Sequence, residues 1–254
     1  MVAKKVRFGD AELTRIGLGT NRLTDTAQHR AFLRGAVEAG VQMIDTAHLY
    51  TGGESEATIG AALSPLPDGC VVATKGGYSD SGPEVLRAEI EESLRHLRTD
   101  IIQLYYLHRT HPETPLEESL AAIKEYRDAG KIRHVGVSQV TVEQVERARA
   151  VVPIAAVQNR YNLSDREHDE VVDYCAREGI LFVPFSPLRD ETGAAVAEIA
   201  RRRGATAAQI KLAWLLRRSP AMLPIPGTLS LEHLKQNLAA LEIDLTDAEF
   251  EALQ

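Results

Sequence analysis

Short apolar runs recur along this chain at roughly the 30-residue spacing of a βα unit, and a helix-forming stretch follows most of them. The runs are apolar on both faces instead of alternating, which is typical of parallel strands covered by helices. Eight strands are predicted, at residues 16–18, 41–44, 71–74, 101–107, 132–137, 154–157, 180–185 and 222–225. Because eight parallel strands close into a barrel of about 250 residues, the 254-residue chain is predicted to be one α/β domain over residues 1–254, a (β/α)8 TIM barrel.

Helix signals mark the segments between these strands. Gly40, Gly130 and Gly179 stand just past three helix ends, where a left-handed cap needs no Cβ. The predicted helices cover residues 26–39, 54–63, 83–97, 116–129, 141–150, 165–178 and 192–203, with additional helices at 206–218, 230–239 and 247–253 near the C-terminus. Before the first strand, apolar residues on both sides of Gly9-Asp10 predict a small N-terminal β-hairpin.

Composition argues against several classes of partner. The formal net charge is −7 and no long basic block occurs, so we expect neither nucleic acid nor an anionic membrane as a partner. Cys70 and Cys175 lie far apart without metal-ligand spacing, which predicts buried thiols and no metal site. No segment reaches transmembrane length and no signal-peptide core is present, so a cytoplasmic protein with a small-molecule partner is expected. The sequence has no long exposed apolar stripe, so it does not indicate an oligomeric state.

Four polar side chains lie just past predicted strands: Asp45 and Tyr50 after one, Lys75 after the next, and His108 after a third. In a βα barrel such positions converge at one mouth, where catalytic residues sit. A carboxylate, a phenol, an ammonium and an imidazole brought together there form a proton-donating site. Each residue alone also has an ordinary explanation, as a helix cap, a packing residue, a surface charge or a surface histidine. Their joint placement favours catalysis.

Eight segments resemble, in the same order, those of the aldo-keto reductases. They read GLGT (17–20), IDTAHLY (44–50), ATK (73–75), YLH (106–108), VGVS (135–138), VQNRYN (157–162), PFSPL (184–188) and IPGT (225–228). Within that family, the QNRYN stretch and the spacing of Gly227, Thr228, Ser230 and His233 resemble the bacterial pyridoxal reductase (pyridoxine 4-dehydrogenase) branch. The resemblance implies reduction of aldehydes or ketones to alcohols, with a nicotinamide cofactor as the hydride donor.

The residues and the resemblance agree on catalytic roles. Tyr50 is expected to donate the proton, and the Lys75 ammonium to lower the pKa of this phenol from its ordinary value of about 10. Asp45 is expected to pair with Lys75 and keep it charged, while His108 orients the carbonyl oxygen. Two other functions stay open: a nicotinamide-binding regulatory barrel of the potassium-channel β-subunit type, and an isomerase or aldolase that uses Lys75 as a Schiff base.

The cofactor is expected to lie across the same mouth. Ser138, Gln139 and Gln158 are assigned to the nicotinamide carboxamide, and Tyr161 to a stack on the nicotinamide ring. The helix at 230–239 offers N-terminal N–H groups to a phosphate, and no GxGxxG follows a strand, so a Rossmann site is not indicated. The full predicted set is Gly19, Thr20, Asn21, Asp45, Ser138, Gln139, Gln158, Tyr161, Ser186, Leu188, Ile225, Gly227, Thr228, Ser230, His233, Gln236 and Asn237.

The sequence departs from the family pattern at several of these positions. Gly227 and His233 stand where a lysine and an arginine commonly hold the 2′-phosphate, and Gln236 stands where a glutamate is usual. These departures weaken the case for strict NADPH use, but Thr228, Ser230 and His233 can still bind a phosphate. NADPH is predicted as the preferred cofactor, with NADH tolerated. Gln139 replaces an asparagine and is expected to keep the nicotinamide contact. Only residues 189–191 separate the PFSPL segment from the next helix, which predicts an open pocket and broad recognition of aldehydes.

Overall fold

The computed structural model describes residues 2–189 and 192–254. An antiparallel hairpin of β1 (Lys5–Phe8) and β2 (Ala11–Thr14) comes first and turns at Gly9, whose φ is +56°. In the described part of the chain, the main sheet then has seven parallel strands, each paired with the next in sequence. They are β3 (Leu18–Gly19), β4 (Met43–Asp45), β5 (Val71–Gly76), β6 (Ile102–Leu107), β7 (Ile132–Ser138), β8 (Ile154–Gln158) and β9 (Leu181–Phe182).

Helices cover the outside of this sheet. Within the two described ranges they are α1 (Ala27–Glu38), α2 (Glu54–Leu63), α3 (Pro83–Leu97), α4 (Leu116–Asp128), α5 (Val142–Val151), α6 (Asp169–Glu178), α7 (Ala194–Arg203), α8 (Ala207–Arg218), α9 (Leu231–Leu238) and α10 (Asp247–Glu251). Nearly all bounds lie close to the predicted ones, but α6 begins four residues late. The Asn162 side chain accepts the N–H groups of Ser164 and Asp165, and such a turn competes with helix initiation.

The eighth predicted strand, at residues 222–225, is wrong as regular secondary structure. The segment nevertheless takes the eighth position, because Met222 forms a parallel bridge with Phe182 and Gly227 forms one with Gly19. Pro224 and Pro226 accept hydrogen bonds from Gly17 and Gly19 but have no N–H to donate in return. Proline therefore prevents a continuous ladder here, while the barrel still closes.

The hairpin seals the base of the barrel. Phe8 and Leu13 are buried and belong to one apolar cluster with Met43 and Val71, which are the first residues of two neighbouring strands. Since parallel strands all run in one direction, the carboxyl ends of the strands form the opposite, open end. The predicted (β/α)8 barrel with an N-terminal hairpin and additional C-terminal helices is confirmed. In the described residues, no helix is both long enough and apolar enough to cross a membrane.

Candidate active site

The four predicted catalytic side chains meet at the open end of the barrel. Asp45 is the last residue of β4, Lys75 lies one residue before the end of β5, and His108 directly follows β6. Tyr50 begins a short 3-10 turn after β4. The backbone N–H of His108 donates to Gly76 at 2.8 Å, which ties the histidine to the strand that carries Lys75.

An unusual backbone turn sets the position of Tyr50. Thr51, Gly52 and Gly53 all have positive φ values, of 50°, 65° and 90°. A β-branched residue rarely adopts this conformation, and the Thr51 hydroxyl donates to the carbonyl of Leu23 at 2.7 Å. Strained backbone of this kind is common where a functional side chain must be aimed.

Lys75 is the centre of a buried hydrogen-bond network. Its Nζ donates to Asp45 Oδ1 at 2.6 Å and to the Thr46 carbonyl at 2.6 Å, and it lies 3.5 Å from the Tyr50 hydroxyl oxygen. The second Asp45 oxygen accepts a hydrogen bond of 2.7 Å from the Gln158 amide. Lys75 is 1% exposed and Asp45 is 2% exposed. Because both carboxylate oxygens have donors, this geometry suits an ion pair.

This hydrogen-bond network sets the protonation states of Lys75 and Asp45. Burial acts to lower the pKa of Lys75, but the Asp45 carboxylate and the Tyr50 oxygen outweigh burial, so the pKa of Lys75 is raised and the ammonium persists. Burial also raises the pKa of Asp45, although Lys75 and Gln158 oppose that rise. A lysine that holds its proton this firmly is a poor nucleophile, which argues against the Schiff-base alternative.

The pKa of Tyr50 differs from the expectation that Lys75 lowers it. Lys75 does pull this pKa down, as predicted, but burial of the phenol pushes it up more strongly and the Asp45 charge adds to the rise. The net pKa is therefore above the ordinary value, and the predicted direction is wrong. The reason is desolvation, which penalises the phenolate. Tyr50 consequently carries its proton at neutral pH.

His108 is a neutral imidazole that borders the phenol. Burial, with help from the Lys75 and Arg109 charges, lowers the pKa of His108 to about 3. Its ring lies edge-on to Tyr50, with centroids 6.3 Å apart, and edge-on to Tyr78 at 4.9 Å. Its Nδ1 is buried and has no hydrogen-bond partner among the described residues. A neutral imidazole can donate one hydrogen bond to a carbonyl oxygen without adding charge.

A cavity of about 590 Å³ opens beside Asp45 and Tyr50. Eight of the predicted cofactor residues line it: Gly19, Thr20, Asn21, Asp45, Ser186, Leu188, Ile225 and Gly227. Five further lining residues were not predicted as cofactor contacts: Arg22, Phe185, Pro187, Arg189 and Pro226. Arg22 donates to the Gly227 carbonyl at 3.3 Å, so a cation stands at this wall. The short segment that was predicted to leave the pocket open includes Asp190 and Glu191, which lie outside the described residues.

The predicted carboxamide contacts sit at neighbouring strand ends. Ser138 and Gln158 are paired in register as the last residues of β7 and β8, and both are 2% exposed. Gln139 is exposed and has a φ of +55°, and its side-chain oxygen accepts the N–H of Arg160 at 2.8 Å. Part of its amide is therefore already used within the protein, and only its NH2 group is left for a ligand.

The predicted phosphate site lies at the start of α9. The Ser230 hydroxyl accepts the His233 N–H, and the Thr228 hydroxyl accepts the Ser230 N–H. The Ser230 hydroxyl thus caps the helix, and the Thr228 hydroxyl holds the backbone of this N-cap residue. Gln236 lies 3.5 Å from Glu232 through its amide nitrogen, and Asn237 is 7% exposed. None of these residues lines the cavity beside Tyr50, so they belong to a separate part of the mouth.

The assignment of Tyr161 to the nicotinamide ring is wrong. Its side chain is fully buried, its hydroxyl donates to Asp169 at 2.6 Å, and its ring stacks on Trp214 with centroids 6.0 Å apart. This tyrosine is therefore core packing on the helix side of the sheet. Besides the catalytic Tyr50, the aromatic residue that lines the cavity is Phe185. Its position directly before Ser186, a residue already assigned to the cofactor, was the signal that could have identified it.

In the parts of the chain that the structure describes, no three histidine, cysteine or acidic side chains are placed to hold a metal ion.

Comparison with known proteins agrees with the barrel and the catalytic side chains described above. The model of the Aldo/keto reductase family matches residues 15–191 and 189–254. A pyridoxine 4-dehydrogenase of Escherichia coli is 33% identical over 97% of this chain and 96% of its own length. An oxidoreductase of Schizosaccharomyces pombe is 35% identical over 99% of this chain and 89% of its own.

Solved structures show the same likeness. A thermostable aldo-keto reductase in complex with the inhibitor epalrestat has a TM-score of 0.91 and 34% identity, with 98% of each chain covered. An aldo/keto reductase from Klebsiella pneumoniae in complex with NADP and acetate has a TM-score of 0.89 and 33% identity. That match covers 99% of this chain and 94% of the other.

Proposed function

Because this chain belongs to the aldo/keto reductase family and is an NAD(P)H-dependent oxidoreductase, we propose that it reduces aldehydes or ketones to alcohols with Tyr50 as the proton donor. The observation that carries this proposal is the placement of the Tyr50 hydroxyl 3.5 Å from the Lys75 ammonium, beside a neutral His108. Residues 1–254 would act as one barrel domain in this reaction.

The cofactor is NADPH, and the cavity beside Tyr50 fits a nicotinamide nucleotide. Arg22 offers a cation and Phe185 an aromatic surface at its wall, while Ser138 and Gln158 lie side by side at neighbouring strand ends. A side chain at Gly19 would place a Cβ 2.9 Å from the Ile225 carbonyl, so the wall there can be lined by backbone alone. When bound, the reduced nicotinamide supplies the hydride.

Tyr50 supplies the proton, with Lys75, Asp45 and His108 in support. The raised pKa of Tyr50 keeps the phenol protonated until the carbonyl oxygen gains negative charge, and the phenol O–H bond then breaks as the product O–H bond forms. The Lys75 ammonium stabilises the phenolate left behind, and Asp45 with Gln158 holds that ammonium in place. His108 donates a hydrogen bond to the carbonyl oxygen and fixes its direction.

We further propose pyridoxal as one substrate, since a relative of nearly equal length is named pyridoxine 4-dehydrogenase. The cavity is lined mainly by loop residues, which supports recognition of several aldehydes instead of one. Thr228, Ser230 and His233 at the start of α9 support a preference for NADPH with NADH tolerated, because helix N–H groups and an imidazole suit a phosphate.

The test is steady-state oxidation of NADPH with pyridoxal and with 4-nitrobenzaldehyde, for the wild type and Tyr50→Phe. We expect kcat to fall by about 10²-fold or more, the usual contribution of a general acid. Tyr126→Phe is the matched control, because it removes a phenol on α4 whose hydroxyl lies 3.4 Å from the Arg87 carbonyl and does not contact the four catalytic side chains. Full activity in Tyr50→Phe would contradict the assignment of Tyr50. A wild type that binds NADPH without turnover would favour a regulatory barrel.

A further inference from the structure

Large apolar side chains are exposed at very few places in the described parts of the chain. Only Leu49, Tyr78 and Ile101 exceed about one third exposure, at 39%, 38% and 44%. Tyr78 belongs to the catalytic mouth, since its ring contacts the His108 ring, and Leu49 directly precedes Tyr50 in the chain. Exposed apolar surface that is concentrated at one site indicates a binding surface.

Tyr78 is exposed although its backbone is held firmly. The N–H of the preceding Gly77 donates to the Glu89 carboxylate at 2.6 Å, and the Tyr78 carbonyl accepts a hydrogen bond of 3.1 Å from His111. Its ring is further fixed by the edge-on contact with His108, at 4.9 Å between centroids. A fixed and exposed aromatic ring is a preorganised contact for a flat ligand.

A cation completes this surface. The Arg109 guanidinium lies over the Tyr78 ring, 4.3 Å from its centroid. Arg109 is exposed, and among the described residues it forms no ion pair and no hydrogen bond, even though the acidic residues Asp80 and Glu113 stand in the adjoining loops. In a chain with a net charge of −7, an arginine left without a carboxylate beside a reactive centre is suited to an anionic ligand.

We propose that Leu49, Tyr78 and Arg109 select flat carbonyl substrates that carry an anionic group, a carboxylate or a phosphate. This inference rests on the proposed function, because it places the carbonyl carbon between Tyr50 and His108. The flat body of the substrate then packs on Leu49 and Tyr78, and its anionic group pairs with Arg109. Successive ring contacts already link His108 to Tyr78 and Tyr78 to Arg109, so one small molecule can reach both ends.

The test compares 4-formylbenzoate with its methyl ester, which differ in charge and little in shape, and pyridoxal 5′-phosphate with pyridoxal. For the wild type we expect kcat/KM to favour each anion about fivefold, the size expected of a solvent-exposed ion pair. Arg109→Gln should bring both ratios to about one, chiefly through KM. Arg109→Lys should keep part of each preference, and added salt should reduce the wild-type ratios.

Arg133→Gln is the matched control. It removes the same charge at the second residue of β7, at the base of the barrel, where Arg133 lies 3.7 Å from Asp10. We expect this variant to keep the wild-type ratios, so equal losses in Arg133→Gln and Arg109→Gln would overturn the proposal. Equal kcat/KM of the wild type for both members of each pair would also overturn it. A preference for the carboxylate alone, or for the phosphate alone, would support the proposal and identify which anionic group the site selects.

If no aldehyde turns over, the proposed function fails while the binding inference can still be judged. Calorimetry with NADPH-saturated protein would then compare 4-(hydroxymethyl)benzoate with its methyl ester. Tighter binding of the acid, lost in Arg109→Gln, would support the anion site independently of turnover. Equal affinities would overturn it.

Discussion

Two cationic side chains are almost completely enclosed at opposite ends of this barrel. Arg15 at the base and Lys75 at the mouth are each 1% exposed. The carbonyls of Ala3, Leu216, Ser219 and Met222 surround the guanidinium of Arg15. A carboxylate, one carbonyl and a phenol surround Lys75. Burial of a cation therefore does not by itself mark a functional site, and the chemistry of its partners is what distinguishes the two.

The two environments have different consequences. Burial lowers the pKa of Arg15 to about 10, which still leaves it charged at neutral pH, and carbonyl groups cannot exchange protons with it. Leu216 and Ser219 lie at the end of α8, so Arg15 satisfies helix carbonyls that otherwise lack partners. It joins this helix end to the N-terminal segment and to Met222. Lys75 instead faces the Tyr50 hydroxyl, whose proton can move.

The largest effect is expected for Lys75→Met. Without the ammonium nothing stabilises the Tyr50 phenolate, so kcat should fall about 10³-fold, or about 4 kcal/mol of transition-state stabilisation. The buried Asp45 also loses its counter-ion, which should lower the free energy of unfolding by about 3 kcal/mol. Steady-state kinetics and urea unfolding measure the two losses separately.

The double variant Asp45→Asn/Lys75→Met separates the two roles. It removes both charges of the pair, so most of the stability should return while activity stays lost. Recovery of activity along with stability would mean that Lys75 acts only through folding. Lys75 would then be a structural cation, as Arg15 is.

The sequence carried unequal information about these two ends. Lys75 and Asp45 follow apolar strands of a repeating unit, so their convergence could be predicted from strand direction alone. Arg15 gave no such signal, because three of its four partners lie about 200 positions away and all four are backbone carbonyls that any residue type provides. The same limit explains Tyr161, whose burial against Trp214 depends on how a distant helix packs.

The predictions for the eighth strand and for the Tyr50 pKa show the same division between what local residues decide and what the assembled fold decides. The position of the eighth strand was predictable from its apolar residues, but Pro224 and Pro226 remove the N–H groups that a regular strand needs. The presence of Lys75 near Tyr50 was predictable, whereas the direction of the Tyr50 pKa depended on how completely the fold buries the phenol. Desolvation is a property of the assembled barrel, which no single motif encodes.

The second effect, in order of size, is expected for Arg15→Met. Several buried carbonyls lose their donors, and unsatisfied buried acceptors cost about 1–3 kcal/mol each. We expect the free energy of unfolding to fall by about 3 kcal/mol, while kcat of the folded fraction stays at the wild-type value. Arg15→Lys keeps the charge but not the planar fork, and should recover part of the stability. A kcat loss in Arg15→Met at temperatures where it is folded would show that the base of the barrel also controls the mouth.

The smallest effect concerns His108, a buried base with no carboxylate partner among the residues that the structure describes. Its pKa in the folded protein is about 3, below the ordinary value of about 6.5, so the unfolded chain takes up this proton first. The stability that neutral His108 allows is complete above about pH 6.5 and is lost as the pH falls toward 3. Between pH 7 and pH 5 the loss should be about 2 kcal/mol. Urea unfolding of the wild type and of His108→Asn at both pH values measures it, and the variant should lack this part of the pH dependence. An equal pH dependence in both proteins would mean that His108 binds its proton in the folded protein as readily as in the unfolded chain. A buried base in this barrel would then stay charged without the carboxylate partner that Lys75 has.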